Sequence, residues 1–333
     1  MRIMDRWTYA AIGAALFLVG VVGGYVLPHT SQLKDAQANR EGGYEFVNPL
    51  LTCDINEDQP SPKFSSLESA LQSEIATLKK NGDVTRMSVY FRDMNYGTWT
   101  GVNVDDTFIP ASLMKVPLLV AYLRQSQTSP ALLTQKYSIP GGANANAEET
   151  FKPQNPLVPG EYTVNQLLEA MIIGSDNNAV DVLNAHVATS SIDDVYNAID
   201  LPAGGENDEN MSPKRYMALF RILYNATYLW RGKSQTAFEL LSKSEFKDGI
   251  VAGTPNTVAH KFGERSVYIQ DATGQLELSK RELHDCGIVY YPQSPYGLCI
   301  MTEGADFTKM KEAIADVSSV VYRNVQAGIL NSQ

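Results

Sequence analysis

Ser112 and Lys115 stand three residues apart in Phe108-Ile109-Pro110-Ala111-Ser112-Leu113-Met114-Lys115, where an apolar run through Leu123 begins. Pro110 disfavours helical geometry in its neighbour, while Leu113, Val116, Val120 and Leu123 recur at helical spacing. The pattern predicts a helix starting near Ser112. Lys115 then falls on the same face, one turn inward, its amine within reach of the Ser112 hydroxyl. Unpaired backbone N–H groups at the helix start would stabilise an oxyanion beside Ser112 and disfavour a charged lysine there. A neutral lysine can take the serine proton, so the pair reads as a nucleophile with its base.

The spacing alone is weak. It occurs three times, at Ser31/Lys34, Ser112/Lys115 and Ser244/Lys247, and only the second opens an apolar helix. Two later clusters give it weight. Ser175-Asp176-Asn177 follows a break at Gly174, where Asp176 is placed to cap a helix over 178–187, leaving the Ser175 hydroxyl and the Asn177 amide free to face a cleft. Taken by itself, a plain N-cap describes that cluster as well. His260-Lys261-Phe262-Gly263-Glu264 closes a stretch of strand character, in which Gly263 would let a substrate backbone approach the strand edge and Lys261 would set a cation beside it.

The elements that must position these residues read as follows. Leu67, Leu71, Ile75 and Leu78 mark an amphipathic helix over 65–80, ended by Asn81-Gly82. Alternation over 87–92 and 98–102 predicts a hairpin. Residues 134–159 are rich in Gly, Pro, Asn and Ala and read as a long surface loop of the kind that often carries function. Thr163-Val164-Asn165-Gln166 is a capping box for a helix ending at Gly174. Residues 202–213 form an acidic turn-rich loop, Ser212-Pro213 opens another helix through Tyr224, and further helix continues to about Lys247. Extended character over 257–270, a turn at 271–274, strands at 287–291 and 297–302, and a final helix with Phe307, Met310, Ile314, Val317, Val321 and Val325 complete the body. The first and last helices are expected to pack on one face of an antiparallel sheet, an α+β arrangement with the central helices as a second lobe.

The whole chain bounds the function classes. With 333 residues, 44% hydrophobic and 19% charged, it can bury one large core or two lobes. A net charge of -10 with no basic cluster argues against nucleic acid as a partner. Arg2 and Arg6 precede an uncharged run from Trp7 to Leu27, long enough for a bilayer core of about 30 Å and without a small-x-small cleavage pattern. Residues 1–28 therefore read as a transmembrane signal-anchor, in preference to a cleaved signal peptide, with the body exported and the localisation being the outer side of the cytoplasmic membrane. Residues 29–63 read as a polar tether and 64–330 as the folded domain, with a sheet lobe over 64–107 and 254–330 and a helical lobe over 108–253. Cys53, Cys286 and Cys299 have no metal-ligand spacing and the four histidines form no HExxH, so no metal or cofactor is expected. Cys286 and Cys299 flank a turn and either pair across a hairpin or stay as two buried thiols.

Ser-x-x-Lys, Ser-Asp-Asn and Lys-x-Gly in that order resemble the motif set of class A β-lactamases and penicillin-binding proteins. Similarity extends through Ser175-Asp176-Asn177-Asn178-Ala179, Val258-Ala259-His260-Lys261 and Gly287-Ile288-Val289-Tyr290, over about residues 64–328. The resemblance implies Ser112 as the acylated nucleophile, Lys115 as its base and Ser175 as proton relay to a leaving nitrogen. It implies further that Asn177 holds a substrate amide, that Lys261 steers a carboxylate and tunes Ser175, and that the backbone N–H groups of Ser112 and Glu264 form an oxyanion hole. The expected partner is a β-lactam or a peptidoglycan-stem-like D-alanyl amide, handled by a monomeric, membrane-tethered catalytic domain. Three departures stand out. Phe262 replaces the hydroxyl residue of the third motif, Cys286 aligns with an arginine that many members carry, and the interval after Ser-Asp-Asn that should supply a deacylating glutamate is short. Glu206 or Glu209 would have to serve as that base, against a plain solvated loop. These departures motivate the alternative of a non-catalytic envelope domain binding peptides or peptidoglycan on the same fold.

Overall fold

Alternation with period two runs through the central strands, and it splits their side chains between two apolar layers. Val89 and Phe91 face one cluster while Tyr90 faces the other, and Ile300 and Leu298 oppose Cys299 and Met301 in the same way. The computed structural model describes residues 39–40, 42–52, 59–142, 144–199, 210–271 and 274–331, all within the unit Ala38–Gln333. The strands are β1 (Asn39–Arg40), β2 (Leu50–Thr52), β3 (Arg86–Asp93), β4 (Trp99–Val102), β5 (Lys136–Ile139), β6 (Gly160–Thr163), β7 (Val258–Gln270), β8 (Leu276–Val289) and β9 (Tyr296–Gly304). Five of them form one antiparallel sheet in the order β4-β3-β9-β8-β7, while β1 pairs β2 and β5 pairs β6.

The helices are α1 (Ser65–Asn81), α2 (Lys115–Thr128), α3 (Val164–Ile173), α4 (Asn177–His186), α5 (Thr189–Ala198), α6 (Pro213–Tyr224), α7 (Arg231–Ser242) and α8 (Phe307–Asn331). Helix α1 ends where the sequence predicts, because Gly82 takes the left-handed conformation at φ 75° and its N–H bonds back to Leu78 and Lys79. Leu67, Leu71, Ile75 and Leu78 of α1 and Met310, Ile314, Val317 and Val321 of α8 close one face of the sheet together. The other face meets a cluster from α2, α3, α4, α6 and α7, with Leu119, Leu168, Leu183, Phe220 and Phe238 fully or almost fully buried. The expected α+β arrangement, an antiparallel sheet with the first and last helices on one face, is the one observed.

Several local expectations change. Within the predicted loop over 134–159, Lys136–Ile139 forms a strand with Gly160–Thr163 as its partner. Helix does not run on to Lys247; α7 stops at Ser242. The largest difference is the β7–β8 hairpin, whose second strand begins at Leu276 rather than near Gly287 and pairs from Gln270↔Leu276 to Val258↔Val289. The charged residues Glu277, Lys280, Arg281 and Glu282 interrupt the apolar signal along that strand, yet backbone pairing does not depend on side-chain polarity. Cys286 and Cys299 sit opposite each other on β8 and β9 and are joined as a disulfide, which decides between the two open alternatives. Part of the stretch read as tether packs on the body. Phe46 and Val47 are buried, Tyr290 Oη donates to Phe46 O at 2.9 Å, and Arg40 donates to Met94 O at 2.6 Å. The run from Trp7 to Leu27, Cys53, Glu206, Asp208 and Glu209 lie outside the described residues. Among the described residues no helix is long and apolar enough to cross a membrane, and no cluster of side chains could hold a metal ion.

Candidate active site

Ser112 lies in a 3-10 turn, Ala111–Met114, and the α-helix proper starts at Lys115, three residues later than the apolar spacing suggests. Ala111 enters the turn at φ 49°, a conformation that L side chains adopt at a cost. The surroundings hold the turn at both ends. Ile109 N donates to Glu282 Oε2 at 2.9 Å, His284 Nε2 donates to Ile109 O at 2.9 Å, and Tyr216 Oη donates to Leu113 O at 2.8 Å. His284 Nδ1 accepts Thr302 N at 3.3 Å, so the ring is the neutral Nε2–H tautomer, and burial pushes its pKa below the usual histidine value.

Gly263 has a different reason for being glycine from the one the sequence suggests. A Cβ there would lie 2.6 Å from Pro110 O, 3.1 Å from Leu113 N and 3.2 Å from Ser112 N. Strand β7 thus approaches the backbone of the Ser112 turn itself, and that side of Gly263 has no room for a substrate backbone.

Ser175 and the two lysines come together as predicted, but the hydrogen bonds run differently. Lys115 Nζ donates to Ser175 O at 2.6 Å, Ser175 Oγ at 3.0 Å and Asn177 Oδ1 at 2.6 Å. Three acceptors use all three protons of an ammonium, and none of these bonds goes to Ser112. Burial pulls the Lys115 pKa down to about 8, partly offset by Glu149, then Asp176, Glu264 and Asp181. At neutral pH the resting site therefore holds a charged lysine that needs only a modest change to lose its proton. Lys261, fully buried, donates to Ser175 Oγ at 2.8 Å and Phe262 O at 2.9 Å. Burial first, and then the Lys115 charge, hold its pKa well below the lysine range. Ser175 itself stands at φ 59°, so backbone strain aims a hydroxyl between two buried amines.

Asp176 caps α4 as expected. Its Oδ1 accepts Asn178 N at 2.8 Å, Ala179 N at 3.3 Å and Asn146 Nδ2 at 3.1 Å, while Oδ2 accepts Leu157 N at 2.6 Å. The cap thereby ties the loop before α3 to the Ser-Asp-Asn turn. Asn177 is more occupied than predicted: besides accepting from Lys115, its Nδ2 donates to Glu149 Oε1 at 2.6 Å and Ala145 O at 3.3 Å. Glu264 does not simply offer a backbone N–H. Its carboxylate accepts Phe151 N at 2.7 Å and Thr150 N at 3.2 Å, and burial raises its pKa against the lowering effect of those bonds, with Glu149 adding to the rise.

Glu149 is the residue that motif reading missed. It sits in the loop over 134–159, ahead of Ser175 in sequence, whereas the resemblance implies a carboxylate after Ser175. The sole available signal was an acidic pair, Glu148-Glu149, inside a loop long enough to be functional. Ser112, Lys115, Asn177, Glu148, Glu149 and Glu264 line a common cavity of about 680 Å³. Phe262 turns away into the core, stacked on Phe246 at 4.4 Å and edge-on to Phe151 at 5.9 Å, while Cys286 is held in its disulfide. Behind Lys261, His260 Nδ1 and Asp285 Oδ1 lie 2.7 Å apart with no exposure, and Asp285 Oδ2 accepts Ile250 N at 2.8 Å.

Residues 67–325 match the description of the Beta-lactamase enzyme family. No curated protein matches the chain at a significant level. Among solved structures, PBP-A, including a mutant captured as an acyl-enzyme complex with penicillin G, superimposes with a TM-score of 0.64 at 18% identity, covering 82% of this chain and 100% of that one. A beta lactamase from Xanthomonas campestris gives 0.63 at 20% identity over 78% and 98% of the two chains. A class A beta-lactamase from Mycobacterium abscessus gives 0.62 at 22% identity over 77% and 99%. At such identities the structural likeness speaks for the fold alone.

Proposed function

The chain belongs to the Beta-lactamase enzyme family, as the match over residues 67–325 establishes, and from that membership we propose a membrane-tethered acyl-serine hydrolase acting on β-lactam or D-alanyl-peptide-type amides. The catalytic domain works on the outer side of the cytoplasmic membrane, anchored by residues 1–28. The observation that carries the reading is the Ser175 hydroxyl, 3.0 Å from Lys115 Nζ and 2.8 Å from Lys261 Nζ, two residues from Asn177, which lines one cavity with Ser112 and Lys115.

In the proposed reaction Lys115, once neutral, takes the Ser112 proton while Oγ forms a bond to the substrate carbonyl carbon. The backbone N–H groups of Ser112 and Glu264 receive the oxyanion. Collapse breaks the carbon–nitrogen bond, and the leaving nitrogen takes the Ser175 hydroxyl proton. Lys115 then returns its extra proton to Ser175, so the net transfer is the Ser112 proton to the leaving group. Lys261 holds Ser175 in place through its bond to the hydroxyl. Water subsequently releases the acyl group from Ser112.

The alternative, a non-catalytic domain that binds envelope peptides or peptidoglycan, is favoured by Phe262, which brings no polar group to the cleft, and by an Asn177 amide already engaged by Glu149 and Ala145. Intact-protein mass spectrometry of the full chain in detergent with benzylpenicillin, beside Ser112→Ala, separates the two. An adduct on the wild type and none on Ser112→Ala is expected. Persistence of the adduct points to a penicillin-binding enzyme and rapid release of penicilloate to a β-lactamase. Ligand binding unchanged in Ser112→Ala with no adduct on either protein would overturn the enzymatic reading.

A further inference from the structure

Glu149, Asn177 and Lys115 form a continuous chain of polar contacts: Glu149 Oε1 accepts Asn177 Nδ2 at 2.6 Å, and Asn177 Oδ1 accepts Lys115 Nζ at 2.6 Å. The Asn177 amide can serve both neighbours only in this orientation, oxygen toward the ammonium and nitrogen toward the carboxylate. Glu264 holds the other end of the arrangement. Its carboxylate accepts the backbone N–H groups of Thr150 and Phe151, the two residues that follow Glu149, and so fastens the loop across the cavity to β7. We propose that Glu149 is a positioning residue for Lys115, whose carboxylate, acting across Asn177, keeps the lysine in its charged, three-bonded resting form until pH or substrate releases it.

The other carboxylates around Lys115 act in the same direction with smaller effects. Asp176 is fully buried and already accepts four donors, Glu264 accepts the loop backbone and interacts with the Glu149 carboxyl as well, and Asp181 is exposed on α4. On the far side of Ser175, Lys261 feels the Lys115 charge, which after burial depresses its own pKa. Of the charges that favour protonated Lys115, Glu149 has the largest effect. A short contact through an amide, together with an opposite charge in the same cavity, stabilises an ammonium directly.

The inference leans on the reading above only for the use made of Lys115; the charge of Lys115 can be measured without any substrate. Lysine labelled with ¹³C at Cε, with the Lys115 resonance identified by its loss in Lys115→Arg, reports the titration. A wild-type midpoint near 8 is expected. Glu149→Gln keeps an acceptor for Asn177 but removes the charge, and should lower the midpoint by about one pH unit. Glu148→Gln, a neutralisation in the same cavity, should leave it in place. Glu149→Ala removes the charge by a different side chain and must move the midpoint the same way, which guards against a folding defect in one variant. In the acylation assay with benzylpenicillin, the acid limb of the rate profile should shift down with the midpoint. Below pH 8, Glu149→Gln should then acylate faster, by up to about tenfold, a gain that loss of mere structural support does not produce. A midpoint that stays or rises in Glu149→Gln, or falls equally in Glu148→Gln, overturns the proposal. Absence of any adduct overturns the function reading instead and leaves the titration to decide this one.

Discussion

Under α1 and α8 the sheet is sealed with hydrocarbon, whereas at the β7 edge it meets buried charge and strained backbone. Leu71, Val89, Ile300, Ile314 and Val317 are wholly buried among apolar neighbours. Around Ser112, by contrast, Lys115, Asp176 and Lys261 are buried, and Ala111 and Ser175 both take positive φ. The first region stabilises the fold and the second draws on that stability. Lowering Lys115 from 10.5 to about 8 costs about 3 kcal/mol of folding free energy at neutral pH. The unfolded chain binds the extra proton between those two values, so the cost is complete below pH 8 and disappears above 10.5. A chemically poised lysine is affordable only because the hydrocarbon side of the sheet supplies the surplus.

That contrast can be tested by perturbing each side. Leu71→Ala should have the largest effect on stability, about 4 kcal/mol from lost burial and a residual cavity, read as a lower urea midpoint. Acylation per folded molecule should stay the same; a slowed rate would show that the two regions are not separable. Gly263→Ala strikes the seam, where the new Cβ meets backbone atoms of the Ser112 turn that cannot swing aside. It should cost about 3 kcal/mol and abolish acylation together, and an active, fully stable variant would contradict the close approach of β7. Asp176→Ala leaves Asn178 N, Ala179 N, Leu157 N and Asn146 Nδ2 without their acceptor. A loss of about 2 kcal/mol is expected, with slower acylation because the loop carrying Glu149 loses an anchor. Ala111→Gly is the smallest change and has the opposite sign. Relief of positive φ should stabilise the fold by up to about 1 kcal/mol, less the entropy of an added glycine, and calorimetry showing a lower Tm would mean that the turn is not strained.

How much of this was legible depends on the distance over which each feature is encoded. Helix α1, its glycine stop, the Thr163 capping box and the Asp176 cap were all readable, because each is set by residues within one or two turns. The three motifs are legible as residue types in order, and the tertiary packing then brings Lys115, Ser175 and Lys261 together. The first half of β8 was not, since charged side chains on a strand outside the apolar core carry no periodic signal. At Gly263 the sequence points to a close approach without saying to what, and the neighbour is the Ser112 turn rather than a substrate backbone.

Local spacing therefore determines which residue types stand at Ser112, Lys115, Ser175 and Lys261, together with most of the helices and strands that bear them, through interactions within a few residues. Only the tertiary structure decided that Lys115 rests on Ser175 and Asn177 rather than on Ser112, that Cys286 bonds Cys299, and that Glu149 reaches the cleft from the loop ahead of Ser175. Those outcomes depend on which loop is fastened to which strand. The two backbone bonds from Thr150 and Phe151 to Glu264 join positions more than a hundred residues apart, and no local spacing records them.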